Sequence, residues 1–149
     1  VLDGFADLAD RRMMDHLATV SPEGMRVRDK VRAGVAARLS TLAPYKEAVR
    51  AASSFWARPS HAFHAGRILW RTADRIWVWA GDTSSDYNHY TKRGLLSGIL
   101  ASTTLAWLAP ENDDDPAMPK TLDFLDRRID NALSVGQLAG RFPFFRKAS

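Results

Sequence analysis

Residues 80–108 read AGDTSSDYNHYTKRGLLSGILASTTLAWL, and the order of residue types along them is the strongest structural signal in the chain. A polar, aromatic loop comes first, with Asp82, Asp86, Tyr87, His89 and Tyr90. A basic pair follows, Lys92 and Arg93, and then an apolar stretch rich in small residues. Thr83, Ser84 or Ser85 supplies a cap for a helix running from about 86 to 108 and ending before Pro110. Gly94, Gly98 and Ser102 recur every fourth position, so they share one helix face and allow another helix to come close. A solvated loop has no physical need for two tyrosines and a histidine so near each other. Exposed aromatics beside an arginine are what a docking surface uses.

Working outward, the apolar spacing stays helical and nothing reads as a strand. Leu2, Phe5, Leu8, Met14 and Leu17 give a first helix. Ser21-Pro22 reads as a cap with proline at the first helical position, and Val27, Val31, Val35, Leu39 and Leu42 repeat at amphipathic spacing. Pro44 restarts the chain, and Val49, Ala52, Phe55 and Trp56 give a short helix that stops before Pro59. Phe63, Ile68, Leu69, Ala73, Ile76, Trp77 and Ala80 mark a longer one, stopped at Gly81. Residues 111–115 with Pro116 and Pro119 form an exposed acidic loop. Leu122, Leu125, Ile129 and Leu133 then line a last helix. About six helices on short connections make an all-α domain.

At 149 residues the chain is expected to form one domain over residues 1–139 with a separate tail, 140–149. Hydrophobic residues at 46% against 26% charged argue for a packed core and against disorder. With no cysteine there is no disulfide framework, thiolate metal site or thiol nucleophile. The net charge of +4 suits an anionic partner, or simply aids solubility. No run reaches the ~18 apolar residues of a membrane-spanning helix. The chain begins at Val1 already in helical pattern, with no signal peptide in view, and is expected to be a fragment whose N-terminal part is missing.

Catalytic chemistry finds little to work with. His61 and His64 sit three apart, but no H-E-x-x-H or Glu-x-x-His pattern accompanies them, so a metal is not expected. Neither a nucleophile elbow nor a phosphate-binding glycine loop is present. Asp123, Asp126, Arg127, Arg128 and Asp130 alternate in charge, as a solvated helix face with local ion pairs does. The chain is therefore expected not to be an enzyme and to need no cofactor. Trp70 and Trp77, seven apart on one face, are either ordinary core or the wall of an apolar ligand cavity. The tail sets Phe142, Phe144 and Phe145 among Arg141, Arg146 and Lys147, with no acidic residue from Ser134 onward. Such a mixture suits an anionic membrane surface or packing of the phenylalanines on protein.

The run GDTSSDYNHYTKRGLLSGILASTTLAWL, then FLDRRIDNA at 124–132, together with VRDKVRAGVAARLSTLAPY at 27–45, resembles the lipid-binding accessory proteins of ubiquinone biosynthesis, the ninth of the Coq proteins. The likeness covers roughly residues 21–141 and points to a bacterial member. It implies a TetR-like fold whose helix-turn-helix part is largely absent here, and a non-catalytic protein that binds an isoprenoid quinone precursor or phospholipid. It further implies presentation of that lipid to the di-iron demethoxyubiquinone hydroxylase, with Asp86, Tyr87, Asn88, His89, Tyr90 and Arg93 as the docking patch. His89 stands where the family usually has tryptophan. A lipid cavity lined by Trp70, Trp77, Leu96, Ile99, Leu100 and Thr103 is expected beside it. The tail, shorter than in the animal proteins, is expected to touch the membrane through Phe142, Phe144, Phe145, Arg146 and Lys147. A homodimer through the last two helices, no nucleic-acid partner, and a peripheral place on the bacterial inner membrane (or, in a eukaryote, the matrix side of the mitochondrial inner membrane) complete the expectation. The competing reading is the ligand-binding domain of a TetR-type transcriptional regulator.

Overall fold

The computed structural model describes residues 2–85, 87–113 and 116–139. The tail at 140–149, with the residues expected to touch the membrane, lies outside them. Six α-helices run through the described residues: α1 (Leu2–Leu17), α2 (Val27–Leu42), α3 (Lys46–Trp56), α4 (Ala62–Trp79), α5 (Tyr87–Trp107) and α6 (Pro119–Ala139). Short 3-10 turns at Ala43–Tyr45, Pro59–His61 and Pro110–Asn112 each begin on or beside a proline, whose fixed φ suits a tight turn but not continuation of the preceding helix. No strand occurs among the described residues, as the helical spacing requires. α4 stops where Gly81 takes φ +91°, a conformation that costs other residues strain. The Ser21-Pro22 start expected for α2 is displaced. The Met25 amide donates to Pro22 O at 3.1 Å and Gly24 turns to φ +80°, so a turn intervenes before Val27.

α1 packs on α2, α4 on α5 and α5 on α6, and α2 closes back on α4 and α6. Met13, Leu17, Leu39, Ile76, Leu96, Leu100, Trp107 and Leu125 are fully enclosed and form one core shared by α1, α2, α4, α5 and α6. The closest helix approach does not use the small-residue stripe of α5. A Cβ on Gly98 would meet nothing within 4 Å, and one on Gly94 only the edge of Trp70 at 3.9 Å. It is Gly34 of α2 that lies against α4, where a Cβ would stand 2.6 Å from Ile76 Cγ2.

Charged side chains stitch the helices together more than their spacing suggested. Asp10 is buried. Its Oδ1 accepts from Arg38 of α2 and from the Thr72 hydroxyl of α4 at 2.8 Å, and its Oδ2 accepts from Arg75. Asp126 and Asp130, expected to pair locally along α6, instead accept from Arg32 (2.8 Å) and Arg28 (2.6 Å) of α2. Arg127–Asp123 does follow the local i,i+4 pattern. The acidic loop is not simply solvated either, because Asp113 pairs with Lys46 and Arg50, each at 2.9 Å. His61 stacks on Phe55 at 4.0 Å and His64 on Trp56 at 4.9 Å, so both histidines pack on the aromatic end of α3.

Gly34→Ala should destabilise the fold. Overpacking against the enclosed, β-branched Ile76 outweighs the better helix propensity of alanine, for a net loss of about 1–3 kcal/mol. Denaturant unfolding of the two proteins measures it, and an unchanged or raised midpoint would refute the close contact.

Candidate functional site

The α4–α5 corner carries the distinctive stretch. Arg93 was expected on a docking surface beside Tyr90, and the structure corrects this: the residue is 2% exposed. Its Nε donates to Asp74 Oδ1 at 2.7 Å, and its Nη1 to Asp82 Oδ2 at 2.9 Å and to His89 O at 3.2 Å. Asp82 collects two further donors, Lys92 Nζ at 2.7 Å and the Ser84 hydroxyl at 2.7 Å. His89 Nδ1 donates to the Ser84 carbonyl at 3.0 Å. The loop between the helices is thus folded around one carboxylate and one guanidinium. Tyr90 does stand out, 63% exposed, with its ring 5.0 Å from His89 and 6.2 Å from Trp70. Asp86 and the side chain of Tyr87 lie outside the described residues, and Asn88 is half-buried.

Burial alone would push the Asp82 carboxyl up, but its bonds to Lys92, Ser84 and Arg93 outweigh that and lower it from 3.8 to about 2. The unfolded chain therefore takes up a proton first as the pH drops. The stability from this group is fully present above pH ~4 and is lost as the pH falls through ~2. Asp82→Asn should flatten that part of the acid-unfolding profile, and a profile of unchanged slope would remove Asp82 from the corner's ionic clamp. Arg93→Met leaves two buried or half-buried carboxylates without their shared cation. A loss of about 3 kcal/mol is expected, read as a lowered Tm. A variant that melts with the parent would return Arg93 to the surface role.

Beside this corner opens a cleft of ≈ 320 Å³ between α2, α4, α5 and α6. Trp77, Leu96, Ile99 and Ile129 form its floor, Val27, Val31, Leu95 and Leu133 its walls, and Asn88, Thr91, Lys92 and Arg28 its polar rim. The Trp77 indole is fixed by Nε1 donating to Lys92 O at 3.0 Å, and the Lys92 ammonium lies over the ring at 5.6 Å. Of the cavity residues expected from sequence, Trp77, Leu96 and Ile99 are brought together here. Leu100 and Thr103 are instead enclosed in the core, 1% and 0% exposed, and Trp70 lies away from the cleft against Tyr90. Sequence reasoning missed Leu95, Ile129, Leu133 and Val31. Their amphipathic spacing was the available signal, but it marks an apolar face without telling whether another helix covers it. A second cavity of ≈ 270 Å³, lined by α1, α2, α3, α4 and α5, was not anticipated either. Among the described residues, no three His, Asp or Glu side chains converge as metal ligands. None of their helices is long and apolar enough to cross a membrane.

Fold and cleft together define a small all-α domain with an apolar recess between its last helices and a folded polar corner at the recess mouth. The COQ9 family model matches residues 62–136, which span α4, the corner and nearly all of α6. The chain is 36% identical over 109 residues to the mitochondrial ubiquinone biosynthesis protein COQ9 of Rattus norvegicus, a match covering 73% of this chain and 34% of that protein. It is 33% identical over 109 residues to the Homo sapiens protein of the same name, covering 73% and 33% respectively. Over 112 residues it is 30% identical to the probable mitochondrial coq9 protein of Dictyostelium discoideum, covering 75% and 36%. The chain belongs to the COQ9 family, and it spans about a third of the length of these relatives.

Proposed function

We propose that this domain acts in ubiquinone biosynthesis as a non-catalytic lipid carrier. It holds an isoprenoid quinone precursor or a phospholipid in the cleft and presents it to the di-iron hydroxylase that modifies demethoxyubiquinone. One observation carries the reading: Asn88, from the expected docking segment, lines the same recess as Trp77, Leu96 and Ile99. A partner seated on the first turn of α5 would lie at the mouth of an apolar recess, over its polar rim. Recognition of an uncharged isoprenoid chain asks only for apolar walls, and the cleft offers tryptophan, leucine, isoleucine and valine. The relatives' names, all concerned with ubiquinone biosynthesis, support this pathway and lend nothing to the transcriptional-regulator reading. The pairing of two copies through α5 and α6 belongs to the same proposal. Gly94 and Gly98 leave an open strip on α5, and Leu105 at 65% and Val135 at 52% stand exposed on the same two helices. The membrane-contact role of the tail, and with it a peripheral place on the membrane, stays part of the proposal.

Two experiments test it. Native protein purified without detergent should carry isoprenoid quinone or phospholipid, identified by solvent extraction and mass spectrometry. Leu133→Trp, a change at the cleft wall where the side chain is already 36% exposed, should cut the lipid content at least tenfold. Lipid retained in full by that variant would place binding elsewhere. Tyr90→Ala should weaken capture of the hydroxylase severalfold with Tm nearly unchanged, since Tyr90 is exposed. Undiminished capture would remove Tyr90 from the docking surface.

A further inference from the structure

The corner where α3 meets α4 exposes charge and apolar surface that neither the cleft nor the docking segment uses. From Ala48 to Ala73 the chain holds no aspartate or glutamate, yet it has arginines at 50, 58, 67 and 71. Arg50 is held by Glu47 and Asp113, and Arg71 lies 3.7 Å from Asp7. Arg58 and Arg67 are exposed, and among the described residues neither has an ion-pair partner. Phe63 is 81% exposed and shares a face of α4 with Arg67, four positions on. Its neighbours Ala57, Pro59, Ala62 and Gly66 are small and exposed, so the phenylalanine ring stands proud of the corner. Behind it the corner is stiff. His61 stacks on Phe55 at 4.0 Å, His64 stacks on Trp56 at 4.9 Å, and Phe55 meets Trp56 edge to face at 5.1 Å. These rings brace the Pro59–His61 turn, whose proline already fixes φ, so Phe63 projects from a preorganised base.

We propose that this corner is a contact for an anionic lipid bilayer, Phe63 entering the headgroup layer as a wedge and Arg58 and Arg67 pairing with lipid phosphates beside it. An exposed aromatic set among unpaired cations, with no carboxylate nearby in sequence, gains at such a surface from both apolar insertion and charge. Each arginine near an anionic leaflet strengthens binding about fivefold, and the absence of like-charged repulsion leaves that gain intact. Arg58, Phe63 and Arg67 line neither cavity, so at these residues a protein partner finds no recess to fill. This contact is not the one expected of the tail. Gly136, three residues before α6 ends, lines the cleft with Trp77 near the far end of α4, and the 18 residues of α4 span ~27 Å. The inference does not rest on the proposed function, because it concerns a surface of the domain and not what the cleft holds.

A label at the corner tests it in the full chain. The sequence has no cysteine, so one introduced cysteine carries a single fluorophore. Gly66 is exposed and a Cβ there meets nothing within 4 Å, so Gly66→Cys places an environment-sensitive nitrobenzoxadiazole beside Phe63. Ala18→Cys places the same label by the other end of α4, where Trp79 donates to Leu17 O. Each labelled chain is titrated with vesicles of phosphatidylcholine, alone or mixed with phosphatidylglycerol. The label at 66 should brighten and shift to the blue on the anionic vesicles, with an apparent affinity at least tenfold above that for the neutral ones, while the label at 18 stays as in water. In the Gly66→Cys background, Phe63→Ser and the pair Arg58→Gln with Arg67→Gln should each weaken the response at least tenfold. All three side chains are exposed, so circular dichroism should be unchanged. A label at 66 that stays dark, whether or not the chain sediments with the vesicles, would overturn the proposal. So would an equal response to neutral vesicles, a response at 18 as strong as at 66, or a response that either set of substitutions leaves at full strength.

Discussion

Arg93 is the tie on which the α4–α5 corner depends. Its guanidinium reaches back to Asp74 on α4 and across to Asp82 in the connecting loop, and it also donates to His89 O one turn earlier in α5. A buried arginine is costly to desolvate and repays that cost only when its donors are met in good geometry. Here two carboxylates and a carbonyl meet them. The corner consequently has one arrangement rather than several, and two consequences follow from that. Tyr90 projects outward at a fixed place beside Trp70, and the inward face of the same turn becomes the rim of the cleft.

The helical periodicity carried most of the fold into view, because burial of one face is a local property of spacing. Val31, Val35, Leu39 and Leu42 of α2 are buried as their repeat requires, and α4 ends at Gly81 because the chain there needs a positive φ. What the sequence hides is which elements meet. Lys92 and Arg93 look alike on paper, a basic pair at a helix start. Yet Arg93 is 2% exposed while the Lys92 side chain remains 41% exposed, since a one-residue step along a helix turns ~100° around its axis. The acidic positions of α6 are a similar case. Asp126 and Asp130 are four apart, as are Arg28 and Arg32, and that matching spacing, not the local alternation, is what pairs α2 with α6.

Small residues were the least legible signal. Gly94, Gly98 and Ser102 recur at the helix period, a pattern equally compatible with a close helix contact and with an open strip. Within one chain they form the open strip, and Ser102 Oγ simply donates back to Gly98 O at 2.8 Å. Gly34, isolated in α2 and without any repeat to advertise it, makes the contact that tolerates no side chain. Recurrence shows that a face is shared; only the packing partner shows whether that face is close to anything.

Two apolar recesses flank the α4–α5 pair, and this shapes the energetics of the whole domain. α5 sends Leu96 and Ile99 into one recess and Ala101, Thr104 and Leu105 into the other. Walls facing a recess forgo the dispersion contacts that close packing would supply, so a domain of this size gives up stability to keep both open. The charge clusters sit where they compensate. Asp10 with Arg38, Arg75 and Thr72 ties α1, α2 and α4 beside the second cavity, and Arg93 with Asp74 and Asp82 ties α4 to α5 beside the first. Hydrogen-bonded ion pairs hold geometry at the edge of a void in a way that adaptable apolar side chains, free to collapse inward, do not. Any molecule that fills a recess restores the missing contacts in the folded chain alone, and by mass action raises the stability of the fold in proportion to the logarithm of its concentration.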